Sequence, residues 1–154
     1  MVRIEQARDF AVERGAAFDY ITDPHNWDRY WPDLVSVADL PTARWSMPGD
    51  VMQLRMRLLG RTVDMHMTLD TVDRPNRVAY RTVQAGLPDT DHERLFEPRT
   101  DGFRYRLTVS YRPRRGFAAL LDRTVVRLGI RRALRTTLDN LARCMVQDRV
   151  GDAR

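Results

Sequence analysis

The chain has 154 residues, of which 43% are hydrophobic and 31% are charged, and its formal net charge is +5. This length fits one domain with a substantial core, so we expect residues 1–150 to fold as a single domain and residues 151–154 to form a C-terminal tail. No apolar run approaches the ~18 residues of a membrane span, and the N-terminus lacks the apolar block of a signal peptide. We therefore expect a cytoplasmic protein.

The basic residues are all arginine, 26 in number, and the chain contains no lysine. Isoleucine and asparagine are also scarce, which indicates a GC-rich coding bias; attraction to an acidic partner is the functional alternative. The 21 acidic residues are interspersed among the arginines and no nucleic-acid-binding motif occurs, so we do not expect a nucleic-acid partner. The single cysteine, Cys144, cannot form an internal disulfide, which fits a reducing compartment.

The first third of the chain predicts a strand and two short helices. Residues 3–13 alternate polar and apolar side chains, as a strand does. Residues 15–22 form a short helical segment, and Asp23 and Pro24 begin a second one, because aspartate accepts bonds from free N–H groups and proline suits the first helical turn. Pro32 disfavours helical geometry at the residue before it, so the second helix has only about two turns.

Two tryptophans, Trp27 and Trp31, lie four residues apart in this second helix and therefore share a face. They fit two roles: an aromatic plug that anchors helices too short to be stable alone, or the lip of a ligand pocket. Trp31 is the better candidate for the lip. We expect Tyr30 to lie nearer the rim than either tryptophan.

From residue 34 to residue 112 the chain alternates with a period of two, and turn signals separate the alternating segments. About six hairpin-linked strands result, and with the first strand they predict an antiparallel sheet of about seven strands. Residues 42–50 are interpreted as a loop, with a short extra strand as the alternative. One face of the sheet is apolar and must be buried against another element.

The C-terminal segment supplies that element. In residues 117–148, apolar side chains recur at helical spacings of three, four and seven, with a break near Gly129. The predicted order is therefore a strand, two short helices, a long antiparallel meander and one long helix.

Five segments and the last helix together span essentially the whole chain: AAFDYITDPHNWDRYWPDLVSV, PGD, LLGRTVDMHMTLDTVDRPNRVAY, RLFEP and DGFRYRLTVSY. These segments, in this order of elements, resemble the START-like (SRPBCC) superfamily, in particular its polyketide cyclase/dehydrase and lipid transport branch. The resemblance implies an α+β helix-grip fold, in which a curved antiparallel sheet wraps the C-terminal helix. It also implies an apolar cavity between them, where members of this family carry or modify lipids, sterols, polyketides and other apolar molecules.

Under this resemblance, the apolar sheet face and the helix that it wraps line the cavity. Four of the seven methionines lie on that face of two adjacent strands, and methionine suits permissive pockets as well as cores. Alternatively, the same residues form an ordinary hydrophobic core that encloses no ligand. The predicted pocket residues are Trp27, Trp31, Met52, Met56, Met65, Met67, Tyr80, Phe96, Tyr105, Leu107, Val109, Leu121, Val125 and Leu128.

The sequence contains no recognised catalytic motif: no nucleophile elbow, no phosphate-cradling glycine loop and no dinucleotide fingerprint. The three histidines, His25, His66 and His92, lie far apart without metal-ligand spacing. We therefore expect no metal and no cofactor. The acidic DTDHE segment is interpreted as a solvated loop, because neighbouring strand residues point to opposite faces.

A cyclase needs an apolar chamber, a donor for a carbonyl oxygen that develops negative charge, and a base or an ordered water. His92, Arg94 and Phe96 share one face of their strand, but Leu95 favours burial of the opposite face, so the sequence leaves open which side faces the cavity. An arginine that faces inward among aromatic residues is costly to bury unless it binds something. The candidate catalytic residues are Arg94, His92, Tyr80 and Tyr105.

Aromatic polyketide cyclases of this family place a functional tyrosine a few residues beyond a Trp-Pro pair, and an arginine on the strand after a Gly-Arg turn. Trp31-Pro32 and Gly60-Arg61 match these landmarks. The functional positions themselves differ, because Ala38 lies near the first and the second falls within residues 69–71, Leu-Asp-Thr. The resemblance therefore does not extend to an aromatase of that type; another cyclisation, a dehydration or no reaction stays open.

Two functions from different classes follow. The first is binding of a polyketide- or lipid-like molecule in the cavity, with a cyclase or dehydrase reaction in secondary metabolism. The second is a non-catalytic carrier, or a protein that sequesters a cell's own product. If substrates arrive on an acidic acyl carrier protein, the expected docking residues are Arg112, Arg114 and Arg115 near the start of the last helix. The sequence is compatible with a monomer and with a homodimer.

Overall fold

A computed structural model describes residues 1–151 of the chain, with side chains for residues 1–146. Seven strands form one sheet in the order β1-β7-β6-β5-β4-β3-β2, and every neighbouring pair is antiparallel. The strands are β1 (Val2–Phe10), β2 (Leu34–Val37), β3 (Val51–Leu58), β4 (Arg61–Asp73), β5 (Arg77–Gln84), β6 (Thr90–Arg99) and β7 (Gly102–Tyr111). The sheet and its helices confirm the predicted α+β helix-grip fold. Of the predicted tail, residues 152–154 lie outside the described residues.

Alternation along the strands gives the sheet an apolar inner face and a charged outer face. On β3, Met52 and Leu54 are buried while the residues between them are exposed. The outer face carries cross-strand ion pairs such as Arg55 with Asp64. Exposed pairs of this kind contribute only about 0–1 kcal/mol each. Burial of the inner face is therefore the main determinant of the strand register.

Two short helices follow β1, as predicted. They are α1 (Arg14–Thr22) and α2 (Trp27–Tyr30), and a 3-10 turn, Pro24–Asn26, leads directly into α2. At the start of that turn, the Asp23 carboxylate accepts a bond from the backbone N–H of His25. A helix as short as α2 is not stable by itself, so contacts with the rest of the fold must hold it.

The aromatic side chains of α2 provide those contacts. The Trp27 indole N–H and the Tyr30 hydroxyl both donate to the carbonyl of Ile21, at 3.1 and 2.6 Å. Tyr30 is only 1% exposed, so its predicted position near the rim is wrong. The physical reason is that the last carbonyls of α1 lack helical partners, and the Tyr30 hydroxyl satisfies one of them from inside the core.

The C-terminal helix consists of α3 (Phe117–Leu121), a π-turn (Asp122–Val126) and α4 (Arg127–Gly151). The predicted break near Gly129 is wrong, because the helix runs through Gly129 and its irregularity lies at the π-turn. No helix in the described part of the chain has the length and apolar character needed to cross a bilayer.

The π-turn is built on bonds to Asp122. The Tyr111 hydroxyl donates to the Asp122 carbonyl, which is also an acceptor for the backbone hydrogen bonds of the helix. The wider π-turn, with one extra residue, accommodates this additional bond. The buried Asp122 carboxylate accepts from the backbone N–H of Arg114 at 2.7 Å and from its guanidinium at 2.7 Å. The Arg114 guanidinium in turn holds the pKa of Asp122 below its usual value.

The core fills one end of the inner sheet face and leaves the other end open. At the filled end, Phe18 of α1 packs on Phe96 of β6, with ring centres 4.9 Å apart, and Leu138 and Leu141 of α4 belong to the same buried cluster. The open end is bounded by the β3–β4 turn, the β5–β6 loop and the first turns of α4. This division leaves space between sheet and helix.

The connection between β2 and β3 contains a 3-10 turn, Leu40–Thr42, and no strand is formed within residues 42–50. Trp45 in this loop is 6% exposed and packs edge-on against Trp27 and Tyr80. The loop therefore closes the core beside the open end of the sheet, a role that the sequence pattern did not reveal.

Candidate ligand pocket

A pocket of about 530 Å³ lies between the open end of the inner sheet face and the start of α4. This volume is within the range of about 300–1,000 Å³ that is typical of small-molecule sites. The predicted residues that the structure places on its walls are Trp31, Met56, Met65, Met67, Tyr80, His92, Arg94, Tyr105, Leu107 and Val109.

Three of the predicted pocket residues lie in the core instead. Trp27, Met52 and Phe96 are almost wholly buried and none of them lines the pocket. Other side chains cover them: Trp27 is stacked under Trp31, and Met52 is paired with Met67 across β3 and β4. Phe96 is packed among the aromatic rings of β7. A shared face is therefore not enough to place a residue at the pocket.

Three more, Leu121, Val125 and Leu128, lie outside the pocket and are 41%, 47% and 69% exposed. Their prediction assumed an uninterrupted α-helical period. The π-turn winds more residues into one turn than an α-helix does, and it shifts the inward side of the helix to Val126 and Ile130, which line the pocket.

Some of the polar residues of the wall were not predicted. Thr82 and Gln84 on β5 and Thr90 on β6 line the pocket. They alternate in phase with Tyr80 and His92 on the same two strands. The period-two pattern that identified the aromatic and basic members would have identified these three as well.

Arg94 lies on the inner face of β6, on the side that it shares with His92 and Phe96. Only 3% of its surface is exposed. The guanidinium lies between two aromatic rings, with Cζ 5.0 Å from the centre of the Trp31 ring and 4.9 Å from that of Tyr80. Its Nη2 donates to the Tyr80 hydroxyl at 2.8 Å.

No carboxylate among the described side chains neutralises Arg94, and its buried Nε and Nη1 have no hydrogen-bond partner there. Burial raises the pKa of Tyr30 and of Tyr105 above the usual value, and the positive charge of Arg94 offsets only part of this rise. Both phenols are therefore neutral. Because a guanidinium stays charged in proteins, Arg94 presents a buried charge without an anion, which costs free energy unless a partner binds.

His92 stacks on Tyr80, with ring centres 4.5 Å apart and planes 10° apart. Its Nε2 lies 2.7 Å from Oγ1 of Thr90. Burial, and after it the positive charge of Arg94, lower the pKa of His92 to about 3. The imidazole is therefore neutral at neutral pH and is a weak base.

A continuous stack of planar groups links α2 to the pocket wall. Trp27 stacks on Trp31, with ring centres 4.8 Å apart and planes 9° apart. The guanidinium of Arg94 follows on the other side of Trp31, and then come Tyr80 and His92. The two tryptophans thus have different positions: Trp27 anchors α2 in the core, and the half-buried Trp31 meets the pocket.

This arrangement can bind and polarise an oxygen atom. Donors that are fixed before a ligand arrives stabilise negative charge more strongly in a site with little water than they do in bulk water. Because the Tyr80 oxygen accepts from Arg94, its own hydroxyl proton is free to bond a ligand. Within the described side chains, no three His, Cys, Asp or Glu residues are grouped so that they could hold a metal ion.

The positions credited with chemistry in aromatic polyketide cyclases do not contribute to this pocket. Neither Ala38 nor residues 69–71 line it. The polar centre around Arg94 comes from β6 and β5 instead.

The three arginines predicted to dock an acidic carrier protein are not equivalent. Arg114 binds the Asp122 carboxylate through Nε and Nη2 and donates from Nη1 to the Gly86 carbonyl, so it has a structural role. Arg112 and Arg115 are exposed and make no ion pair with the described side chains. Docking of a carrier protein at these residues stays a prediction.

Comparison with known proteins places this geometry in context. The family model for polyketide cyclase / dehydrase and lipid transport matches residues 1–145. No protein with a curated description matches the sequence significantly.

Solved structures of the same fold share little sequence with this chain. The Zhui aromatase/cyclase from Streptomyces sp. R1128 matches over 92% of this chain and 91% of its own, with 15% identity and a TM-score of 0.76. A protein from Thermus thermophilus matches over 96% and 97%, with 17% identity and a TM-score of 0.75. DynU16, from the dynemicin biosynthetic locus, matches over 93% of this chain but 46% of its own, with 13% identity and a TM-score of 0.66. At such low identity the likeness shows the fold alone.

Proposed function

The chain belongs to the polyketide cyclase/dehydrase and lipid transport family, and we propose that its pocket binds a small, mostly apolar, polyketide- or lipid-like molecule through an oxygen held by Arg94 and Tyr80. The observation that carries this proposal is the buried guanidinium of Arg94, which has no anionic partner among the described side chains. A carbonyl, enolate or carboxylate oxygen of the ligand is the partner that its Nε and Nη1 lack.

The remaining walls favour an apolar body on that ligand. Met56, Met65 and Met67 line one side, and Leu107 and Val109 line another. Methionine side chains are flexible and polarisable, so they adapt to ligands of different outline. The pocket therefore combines one fixed polar contact with a permissive apolar surface, which suits a folded or partly cyclised carbon chain that carries oxygens.

The same geometry supports cyclisation or dehydration of a polycarbonyl chain. When a base removes a proton from a methylene group between two carbonyls, negative charge moves onto a carbonyl oxygen, where Arg94 and the Tyr80 hydroxyl stabilise it. The enolate carbon then attacks a second carbonyl of the same chain, the resulting alkoxide takes up a proton, and loss of water gives the unsaturated ring. His92 is a weak base, so the substrate C–H must itself be acidic, as it is between two carbonyls.

The binding proposal is tested with two tricyclic probes, 1,8-dihydroxyanthraquinone and anthracene, which differ in their oxygens. Binding is followed by the change in tryptophan fluorescence, because Trp31 lines the pocket. We expect the Arg94→Met variant to bind the anthraquinone about 10–100-fold more weakly than wild type, since a hydrogen bond to a charged group contributes about 1.5–3 kcal/mol. The affinity for anthracene is expected to change little.

Arg81→Met is the matched control, because Arg81 lies on the outer face of β5 and pairs with Asp91. Equal losses in the two variants, or an unchanged affinity of Arg94→Met for the anthraquinone, would contradict the proposal. A cyclase reaction further requires that Arg94→Met lose ring formation from a linear poly-β-ketone thioester, followed by absorbance, while Arg81→Met retains it.

A further inference from the structure

The outer side of the C-terminal helix carries large apolar side chains near its start. Their exposure places all of them on the side of the helix that faces away from the sheet. Contiguous apolar surface of this kind on a soluble protein marks an interaction site. These residues, named here the apolar strip, are Phe117, Leu120, Leu121, Val125 and Leu128, and they are 77%, 58%, 41%, 47% and 69% exposed.

The β3–β4 turn adds an exposed leucine at the pocket, close to the start of α4. Leu59 at its tip is 55% exposed and has a φ of +50°, and Gly60 follows with a φ of +77°. Two-residue turns with this backbone favour asparagine or glycine, so a leucine here is strained. Leu59 lies against the helix at Gly129, since its Cδ2 would be 3.6 Å from a Cβ added there. An exposed, strained leucine indicates a role outside the packing of the fold itself.

Several arginines lie close to the apolar strip in the sequence. Between residues 115 and 138 the chain has one acidic residue, Asp122, and its carboxylate is buried against Arg114. No ion pair joins the flanking arginines to a described carboxylate. These arginines are Arg115, Arg123, Arg127, Arg131, Arg132 and Arg135.

We propose that the apolar strip and its flanking arginines dock this protein on the surface of an anionic bilayer, with the pocket opening beside the lipid. A helix that lies in the membrane interface buries phenylalanine and leucine among the acyl chains and keeps arginines at the level of the anionic head groups. Leu59 and Gly129 belong to the pocket wall as well as to the edge of this surface. A molecule leaving the bilayer would therefore meet the pocket without crossing water.

The arrangement of the surface favours a bilayer over an acidic protein. A carrier protein presents carboxylates at its surface, so its docking site would centre on arginines. Here five large, exposed apolar side chains occur among the arginines of one segment, a combination that suits the acyl chains and anionic head groups of a bilayer.

The proposal is tested by co-sedimentation of the full chain with phosphatidylcholine vesicles that contain or lack phosphatidylglycerol. We expect binding to the anionic vesicles, weakened by salt, because head-group attraction is screened. The Phe117→Ser/Leu128→Ser variant is expected to bind at least about tenfold more weakly, because it removes two of the most exposed side chains of the strip. Arg123→Gln/Arg127→Gln is expected to lose binding to the same degree at low salt.

Matched controls separate this surface from general effects of charge and apolarity. Val35→Ser/Val83→Ser changes two valines that are 50% and 47% exposed elsewhere, and Arg44→Gln/Arg99→Gln makes the same change in net charge away from the strip. Both controls are expected to bind as wild type, and circular dichroism checks that every variant is folded.

Four results would overturn the proposal. The first is no binding of wild type to anionic vesicles, and the second is equal losses in the strip variants and their controls. The third is a homodimer that the strip variants dissociate. The fourth is binding of an acidic carrier protein, lost in the strip variants, by a protein that does not bind vesicles.

Discussion

Arg94 stands in the middle of an apolar sheet face, opposite Val78 on one neighbouring strand and Leu107 on the other. The rings of Trp31 and Tyr80 offset part of the cost of burial, because a desolvated cation–π contact is worth about 2 kcal/mol. Removing a charge from water costs several kcal/mol, and no carboxylate in the part of the chain with described side chains offsets this cost. This guanidinium is therefore held in the fold at a cost in stability, as the side chains of functional sites often are.

The sequence could place Arg94 beside His92 but could not orient the pair. Alternation places these two residues on one face of the strand and Leu95 on the other. Because Leu95 is the more apolar side chain, it favoured burial of its own face. In the structure Leu95 lies half-buried on the outer face, while Arg94 is buried. Which side of β6 is covered depends on the helix that packs against the sheet, and no local pattern contains that information.

His92 is expected to make the folded protein sensitive to acid. Burial lowers its pKa in the folded protein to about 3, while a histidine in an unfolded chain titrates near pH ~6.5. As the pH falls through this window the unfolded state takes up the proton first, so stability is lost progressively below about pH 6.5. We expect this residue to lower the free energy of unfolding by up to about 1.4 kcal/mol per pH unit, measured by urea denaturation.

The contribution of His92 is isolated by comparing variants, because carboxylates titrate in the same range. His92→Gln is expected to lose stability less steeply than wild type between about pH 6.5 and pH 4. His66→Gln is the control, since His66 is exposed on β4. Parallel profiles for wild type and His92→Gln would show that His92 is not held neutral by the fold.

Strands and helices could be predicted where their sequence patterns lie in consecutive residues. They could not be predicted where contacts with another element determine their geometry. The strands follow from alternation, and the start of the second helix follows from Asp23 and Pro24. The π-turn has a different origin, because it is built on the bond from Tyr111 of β7 to the Asp122 carbonyl. An uninterrupted α-helical period would place Val125, rather than Val126, at the pocket.

The β6–β7 hairpin depends on a glycine for a reason that can be tested. Gly102 has a φ of +142°, and a Cβ there would lie 2.0 Å from the carbonyl oxygen of Phe10 in β1. Gly86, in the β5–β6 loop, has a φ of +79°, but a Cβ there would meet nothing within 4 Å. We expect Gly102→Ala to lower the free energy of unfolding by about 3 kcal/mol or more and Gly86→Ala by about 1 kcal/mol. Urea denaturation of the two variants measures the difference, and equal losses would show that β1 can move away at little cost.

The inner face of the sheet serves as core at one end and as pocket wall at the other. Met52 and Met56 lie on the same face of β3, yet only Met56 lines the pocket. The helices and the Trp45 loop cover the part of the sheet that contains Met52 and leave the part that contains Met56 open. Which part is covered is a property of the assembled molecule. The sequence could therefore predict the face but not the boundary between packed and open regions.

Ligand binding is expected to narrow or reverse the difference in stability between wild type and the Arg94→Met variant. Without ligand, Arg94→Met is expected to raise the free energy of unfolding by about 1–3 kcal/mol, because an apolar side chain replaces an unneutralised charge. Ligand binding stabilises the folded state by about 2.7 kcal/mol at about 100 times Kd. At that concentration of 1,8-dihydroxyanthraquinone, a variant with a Kd about 10–100-fold higher gains only about 0.4–1.4 kcal/mol. Urea denaturation of both proteins with and without this probe measures the four values.

The two halves of this comparison test different statements about Arg94. If the variant is less stable than wild type without ligand, the stack of Trp31 and Tyr80 stabilises the guanidinium by more than its burial costs, and the residue belongs to the framework of the fold. If the probe stabilises both proteins equally, the ligand binds away from Arg94. A gain in stability without ligand, together with a smaller gain on binding, is the combination that a ligand site built at the cost of stability requires.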